Sequence, residues 1–230
     1  MLERAPLLAD SVVTEVRDRI RTRRLVPGPT YSVYQLADEL GVSRSPVREG
    51  LVKLAEAGVV RFRRNRGFQV LLPEPRDIAE IFAVRVALEV PAARRAAGHA
   101  SDDAVAAIAE CMAELEATTD PATFWERDRT LHRLVLLASG NRRAAATVDE
   151  LRAITSLLDA PTDRTRAAVC AEHRPIVDAL VARDGTAAAE AMRSHLSSTA
   201  LLLMARAAHT TPDDPALTAL WAELNAEDGR

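Results

Sequence analysis

Three histidines and one aspartate in the second half of the chain have a spacing that can bind an ion. Asp128 and His132 are four residues apart in FWERDRTLHRLV and therefore share one face of a helix. His173 lies on the apolar stripe of AEHRPIVDAL, and His195 follows in AMRSHLSSTALLL. One carboxylate and three imidazoles on three predicted helices thus face an apolar interior, where polar groups without partners are costly to bury.

The residues alone leave two interpretations of this group open. Each inward histidine can be a core residue whose hydrogen bonds are satisfied within the protein. Alternatively, the four groups together bind a divalent cation, since neutral imidazoles and a carboxylate suit Zn²⁺, Ni²⁺, Mn²⁺ or Fe²⁺. Four such ligands leave one or two coordination positions open for the carboxylate or hydroxyl of a small organic acid.

A different chemistry is indicated near the N-terminus by GVSRSPVREGLVKLAEAGVV. Val47 and Leu54 belong to one apolar stripe of a helix, and Arg44 and Arg48 lie on a neighbouring face. The helix therefore presents its N-terminus to solvent with two arginines beside it. Such an end can enter the major groove of DNA, where arginine pairs bidentately with guanine.

The elements that must position these residues are mainly helical. Three short helices are expected over 7–24, 33–40 and 43–57, and VVRFRRNRGFQVLL then predicts a β-hairpin with a charged tip. Pro73-Glu74-Pro75 marks a linker. Further helices are expected near 76–98, 101–118, 121–139, 142–159, 163–183 and 186–208, with Pro91 kinking or splitting the first of them.

The predicted fold is mainly α and has two parts. Residues 1–73 form a winged helix-turn-helix of three helices and a hairpin, in which Gly67 allows close backbone approach. Residues 76–208 form an all-α bundle of six to seven helices, and 209–230 form a polar tail with one short helix at most.

Charge and composition agree with a DNA-binding N-terminal part. The net charge of −3 hides an asymmetry, because residues 1–73 carry 13 Lys and Arg against 8 Asp and Glu. Cys111 and Cys170 are far apart and are expected to be reduced thiols. The absence of a signal-peptide pattern and of a long apolar run predicts a soluble, cytoplasmic protein without membrane contact.

The stretch LADELGVSRSPVREGLVKLAEAGVVRFRRNRGFQV resembles the DNA-binding domain of the GntR family of bacterial transcription regulators. The resemblance implies that three residues of the third helix read operator bases, while others contact the DNA backbone or minor groove. The first set is Arg44, Ser45 and Arg48, and the second is Ser43, Arg66 and Gly67.

Three positions depart from the family pattern, two in this stretch and one just before it. Ser45 replaces the commoner threonine, which keeps the hydroxyl but loses a methyl. Gly50 replaces an alanine inside the third helix, which predicts a cost of up to ~1 kcal/mol in helix stability. Tyr34 stands where relatives often have a basic residue, so the resemblance implies that a base or phosphate contact is lost there.

The second half, with D-x-x-x-H, EHR-x-I-x-x-AL and M-x-x-H, resembles the FCD effector-binding domain of the FadR subfamily over residues 76–208. In metal-binding members, the matching positions hold the ion, and here they are Asp128, His132, His173 and His195. Arg85 matches an arginine that either pairs with an effector carboxylate or forms an internal salt bridge with Glu89. Asn141 either lines the effector cavity or caps the next helix, and we favour the cap.

These patterns predict a one-component transcription regulator that binds a roughly palindromic DNA operator as a homodimer. An organic acid bound at or near a divalent metal ion would control operator affinity. Three alternatives stay open: the metal itself is the signal, the metal is purely structural, or the chain is a metal-dependent enzyme. The enzyme is disfavoured by the attached DNA-binding part and by the lack of a clear general base.

Overall fold

The computed structural model describes residues 4–64, 66–156 and 164–225. Within these ranges the chain forms ten helices and three short strands. They divide into two compact units, one containing the residues up to Pro73 together with 154–156, the other containing 74–153 and 164–225. The mainly α fold expected from the sequence is confirmed.

The first unit contains three helices and a three-stranded antiparallel sheet. Its elements are α1 (Arg4–Arg21), β1 (Thr30–Tyr31), α2 (Val33–Leu40), α3 (Arg44–Glu56), β2 (Val60–Arg63) and β3 (Gly67–Val70). The strand order is β1-β3-β2, with Tyr31 opposite Phe68 and Phe62 also opposite Phe68. The sequence pattern missed β1 because two residues are too few to show an alternation.

The core of this unit is built from the apolar stripes of the three helices and the inward side of the hairpin. Val47, Leu51 and Leu54 of α3 are fully buried, as is Phe68 of β3. The stripe predicted for the third helix therefore packs inward, which leaves the opposite side of that helix at the surface.

Gly50 has a role that the sequence-based estimate of its cost did not include. It lies where α3 meets α1, and a Cβ there would approach the Ala9 carbonyl oxygen and the Val12 Cγ1 to 2.9 Å. The glycine therefore allows a closer packing of the two helices, which compensates for its lower helix propensity.

In the residues of the second unit that the structure describes, all regular elements are helices. They are α4 (Pro75–His99), α5 (Asp102–Ala117), α6 (Pro121–Ala138), α7 (Arg142–Thr155), α8 (Arg166–Val181), α9 (Gly185–Ala208) and α10 (Pro215–Asn225). Pro91 does not split α4. The expected helical residues 157–159 and 163, and the end of the tail, lie outside the described residues. Residues 209–214 of the tail form turns, and α10 follows them; it packs against α4 and α9 and buries Leu217.

The centre of the second unit is an apolar core that contains a few ionisable groups. α4 packs along α9, α8 packs on α9, and α5 packs on both α6 and α8. Phe82, Phe124 and Met192 are buried in this core. Arg85, Glu89, Asp128, His132, His173 and His195 are buried with them. Nowhere in the described ranges is a helix both long and apolar enough to cross a membrane.

Two glycines of the first unit provide a matched test of the wing geometry. Both have positive φ, +116° at Gly67 and +71° at Gly58, but only at Gly67 would a Cβ overlap another residue, 1.9 Å from the Tyr31 carbonyl oxygen. We expect Gly58→Ala to cost about 1–2 kcal/mol for the left-handed backbone alone. Gly67→Ala should cost about 1–3 kcal/mol more because β1 must move.

Differential scanning calorimetry of the full-length chain measures both losses. An equal decrease in melting temperature for the two variants would contradict the close contact between Gly67 and β1.

Candidate functional site

The surface end of α3 is shaped by the turn that joins it to α2. Ser32 caps α2, since its Oγ accepts from the Tyr34 and Gln35 amides, and Gly41 ends α2 with a φ of +64°. Ser43 occupies the N-cap position of α3 but makes no capping hydrogen bond with its side chain. The Ser43 hydroxyl and the first amides of α3 are therefore available to a ligand at this helix end.

The three side chains that were predicted to read bases all lie at the surface. Arg44, Ser45 and Arg48 are exposed, while the residues between them are buried. The guanidinium carbon of Arg44 lies 4.0 Å from the centre of the Tyr34 ring. The Ser45 hydroxyl donates to Glu49 at 3.2 Å. The first turn of α3 thus carries two cations and a hydroxyl on one solvent-facing side.

The hairpin tip carries the predicted wing residues. Arg66 is exposed, and its amide donates to the Arg63 carbonyl oxygen at 3.0 Å to close the turn. Gly67 begins β3 directly beside the Tyr31 backbone. Asn65, which was included in the predicted tip, lies outside the described residues.

Gln69 organises the outward side of the sheet, a role that the sequence analysis missed. Its Oε1 accepts from the Nε of Arg61 at 3.1 Å and from the Nε of Arg63 at 2.8 Å. Its Nε2 donates to the Gly28 carbonyl oxygen at 2.9 Å and to Thr30 Oγ1 at 3.1 Å. Side chains alternate between the two faces of the sheet along β2 and β3, so Arg61, Arg63 and Gln69 lie on the same face. This alternation is the sequence signal from which the contact could have been predicted.

In the second unit, the structure brings His132 of α6, His173 of α8 and His195 of α9 into contact. The Nε2 atoms of His132 and His173 are 3.1 Å apart, and the ring centres of His173 and His195 are 4.2 Å apart. A ring nitrogen of each histidine lies within 4.8 Å of a ring nitrogen of the other two. None of the three is more than 5% exposed.

Each imidazole also has an acceptor of its own on the outer side of this histidine cluster. The Nδ1 pairs are His132 with Glu89 Oε2, His173 with the Val169 carbonyl oxygen at 2.8 Å, and His195 with Glu172 Oε2 at 3.1 Å. Because carbonyl and carboxylate oxygens accept, these contacts place a proton on each Nδ1, and a neutral ring with a protonated Nδ1 has its lone pair on Nε2. This is the usual way in which proteins orient histidine ligands of a metal.

Asp128 contacts the cluster through one oxygen and an arginine through the other. Its Oδ1 lies 3.2 Å from His173 Nε2, and its Oδ2 pairs with Arg152 of α7. Burial alone would raise the pKa of Asp128, but the Arg152 guanidinium and then His173 outweigh it and hold the pKa below its ordinary value. The carboxylate is therefore ionised at neutral pH.

Burial keeps two of the imidazoles neutral. It lowers the pKa of His195 to about 4, with His173 as a further cause, and it lowers the pKa of His132 well below its ordinary value together with Arg152. With its Nδ1 donating to Glu89, a neutral His132 has its Nε2 lone pair directed at His173 Nε2, 3.1 Å away. The chemistry of this donor set therefore fits a cation at the point where the lone pairs meet.

Arg85 lies deep in the same unit, next to the acceptor of His132. It is 2% exposed, and its Nε donates to Glu89 Oε1 at 2.8 Å. The internal salt bridge that was one of its two predicted roles is therefore present. The Arg85 Nη2 has no hydrogen-bond partner among the described residues, and burial lowers the pKa of its guanidinium.

Asn141 is at the surface, at the start of α7. Its Oδ1 accepts from the Ala144 amide at 3.0 Å, which confirms the capping role. No described hydrogen bond joins it to the histidine cluster. Its assignment to an effector cavity stays a prediction.

Four charged residues hold the cluster in place: Glu89, Arg152, Arg164 and Glu172. Glu172 pairs with Arg164 as well as with His195, and although burial would raise its pKa, these contacts lower the pKa to about 2. The spacing of Glu89 to Arg85 indicated their salt bridge but not the contact of Glu89 with His132. The contacts of Arg152 and Arg164 do not follow the spacing of a single helix, so the sequence did not indicate them.

A groove of about 650 Å³ lies on the surface of the second unit, between the end of α5 and the start of α8. Thr118, Arg166, Cys170 and Arg174 are among the residues that line it. None of the four predicted metal ligands does. The histidine cluster is therefore a closed site, separate from this groove.

Comparison with known proteins agrees with both units. Residues 8–70 match the family model described as bacterial regulatory proteins, gntR family, and residues 80–198 match the FCD domain. Over 200 residues the chain is 32% identical to a protein of Paenarthrobacter nicotinovorans named "Probable D-xylose utilization operon transcriptional repressor". That alignment covers 84% of this chain and 88% of the relative.

Another relative and a solved structure are similar over most of the chain. The chain is 28% identical over 185 residues to the Escherichia coli K12 transcriptional repressor RspR, covering 75% of this chain and 78% of that one. The structure of E. coli McbR/YncC superposes with a TM-score of 0.69 at 20% identity, covering 85% of this chain and 96% of that chain. At this identity the likeness shows the fold alone.

The fold and the matched domains define a DNA-binding transcription regulator, not an enzyme. The chain belongs to the GntR family of bacterial regulatory proteins and carries an FCD domain.

Two ion pairs with the same spacing on α4 test how strongly the buried charges hold the second unit together. Glu89→Ala removes the partner of Arg85 and leaves a buried guanidinium unpaired, which should cost about 3–5 kcal/mol. Glu80→Ala breaks the pair with Arg76, in which both side chains are more than half exposed, and should cost about 0.3–0.5 kcal/mol.

Urea unfolding followed by the fluorescence of Trp125, on α6, measures both values in the full-length chain. If Glu89→Ala were as mild as Glu80→Ala, the buried pair would not be a main constraint on this unit.

Proposed function

We propose that this regulator senses a small organic acid at or near a divalent metal ion, and that binding of the acid changes its affinity for operator DNA. Asp128, His132, His173 and His195 would hold the ion. The observation that carries the proposal is the convergence of three buried imidazoles, whose ligand nitrogens lie within 4.8 Å of one another and whose Nδ1 atoms contact acceptors outside the cluster.

The ligand types are those of a borderline divalent cation such as Zn²⁺, Ni²⁺, Mn²⁺ or Fe²⁺. Such an ion, when bound, supplies a Lewis acid to which a carboxylate or hydroxyl of the effector can coordinate. The chain's own residues prepare the site: Glu89, Val169 and Glu172 orient the rings, and Arg152 keeps Asp128 ionised.

Arg85 supports an acidic effector. Its Nη2 is buried and has no partner among the described residues, while Glu89 holds its Nε. A guanidinium fixed in this way can pair with a carboxylate at little cost in side-chain entropy. The predicted role of Asn141 in effector binding has no such support.

The first unit supplies the DNA contacts. We propose that Arg44, Ser45 and Arg48 read base edges in the major groove and that Ser43, Arg66 and Gly67 contact the backbone or minor groove. A homodimer would place two such units on a palindromic operator. The names of the relatives favour repression as the mode of action, and we expect the protein to act in the cytoplasm.

The burial of the three imidazoles supports a second candidate, in which the metal itself is the signal. All three are at most 5% exposed, which favours an ion over a larger molecule in direct contact with them. In this case operator affinity would change between metal-free and metal-loaded protein with no organic acid present. A purely structural metal would instead change the melting temperature and leave operator affinity unaltered.

Metal binding is tested by comparing two histidine variants by elemental analysis after reconstitution. Wild-type protein should contain about one ion per chain, and His99→Ala, which changes an exposed histidine, should contain the same. His132→Ala removes one of the converging nitrogens, so its metal content should fall well below one per chain.

Thermal shift with a panel of small carboxylic acids then separates the candidates. An acid that stabilises only the metal-loaded wild type supports the sensor proposal. Full metal content in His132→Ala would show that the ligand assignment is wrong. A wild type that binds no metal would make the cluster a polar pocket that holds its ligand directly.

DNA contact by α3 is tested with two cationic residues of the same helix. The probe is a duplex enriched from a random-sequence library by the wild-type protein, and all measurements use one salt concentration. Arg48→Ala should weaken binding by about 5- to 150-fold, the range for one lost bidentate base contact. Lys53→Ala should change it by less than about 2-fold because Lys53 pairs with Asp10 of α1 at 2.7 Å.

Equal losses of DNA affinity in Arg48→Ala and Lys53→Ala would mean that α3 contributes only its positive charge to binding. Circular dichroism of both variants serves as the control for folding.

A further inference from the structure

Tyr34 on α2 contacts the predicted base-reading residue Arg44 on α3. The guanidinium carbon lies 4.0 Å from the centre of the Tyr34 ring, which is the distance of a cation–π contact. The side chain of Tyr34 nevertheless remains 57% exposed. Among the described residues of the first unit, it is absent from the set that packs on the hydrophobic core. Its ring therefore contributes little to the core, and its defined contact is with the arginine.

The backbone that carries the ring is fixed at the start of α2. The Ser32 hydroxyl accepts from the Tyr34 amide at 3.2 Å and fixes the first turn of α2. Gly41 ends α2 in the left-handed conformation, and Arg44 is the first residue of α3. The helix-turn-helix geometry thus places the first turn of α2 beside the first residue of α3.

Stacking on an aromatic face leaves an arginine able to recognise a base. The N–H groups of a guanidinium lie in its plane and point outward from its edge. A ring that covers one face restricts the motion of the side chain without occupying these donors. The edge can still donate two parallel hydrogen bonds to the O6 and N7 atoms of a guanine.

We propose that Tyr34 is a positioning residue that holds Arg44 in the conformation in which it reads one base pair. The sequence comparison predicted only a lost DNA contact at position 34. The geometry assigns this position an indirect part in recognition, through the guanidinium that it orders. The inference rests on the proposed base-reading role of Arg44.

The experiment measures base preference with the full-length protein. A duplex enriched from a random-sequence library by the wild type is the probe, and each of its base pairs is replaced in turn in a competition assay. Arg44→Ala identifies the base pair that Arg44 reads, since discrimination should be lost there. Tyr34→Ala should weaken discrimination at that same base pair by about 2- to 5-fold, the effect of one exposed cation–π contact.

Two further variants separate positioning from other roles. Tyr34→Phe keeps the ring and should rescue the preference. In the Arg44→Ala background, Tyr34→Ala should add no further loss, because the group that it positions is gone. The dependence of affinity on salt should be the same for Tyr34→Ala and wild type, since no phosphate contact is removed.

Several results would overturn the proposal. A loss of base discrimination in Tyr34→Phe as large as in Tyr34→Ala would indicate that the hydroxyl contacts DNA. An equal loss of discrimination from Tyr34→Ala with and without Arg44 would show that the ring does not act through Arg44. A gain in affinity from Tyr34→Ala would mean that the ring holds Arg44 away from DNA. If Arg44→Ala altered no base preference, the base-reading role itself would be wrong, and this outcome is independent of the behaviour of Tyr34.

Discussion

Arg85 and Glu89 lie one turn apart on α4, and both are buried in the apolar centre of the helical unit. Removing a charged group from water costs several kcal/mol, so a buried charge is tolerated only when a well-placed partner offsets that cost. Glu89 uses one oxygen for Arg85 and the other for His132 of α6. One carboxylate therefore ties two helices together and determines which nitrogen of His132 faces inward.

The other members of the histidine cluster are also held by partners on their outer side. Glu172 accepts from the Nδ1 of His195, the Val169 carbonyl oxygen accepts from that of His173, and Arg152 donates to Oδ2 of Asp128. These outer contacts fix the three rings, and the other oxygen of Asp128 lies beside His173 within the cluster. The proposed cation would bind where the three imidazoles meet.

The sequence predicted much of this arrangement, and the limits of that prediction have physical causes. Asp128 and His132 could be paired from an i, i+4 spacing, and the helices of the second unit from their apolar periodicity. Arg152 pairs with Asp128, 24 residues away on another helix, and Arg164 pairs with Glu172 from a position before α8 begins, so helical spacing indicates neither contact. β1 was too short to be recognised, and the role of Gly50 depends on how closely α1 approaches α3.

The most direct measurement of the central claim is X-ray absorption at the zinc edge of the full-length protein after reconstitution with Zn²⁺. The convergence of His132, His173 and His195 predicts a first shell that contains three imidazole nitrogens at about 2.0–2.1 Å, completed by oxygen. A spectrum with sulfur scattering from Cys111 or Cys170, or with oxygen ligands alone, would contradict the account. The histidine cluster would then be a hydrogen-bonded core and not a metal site.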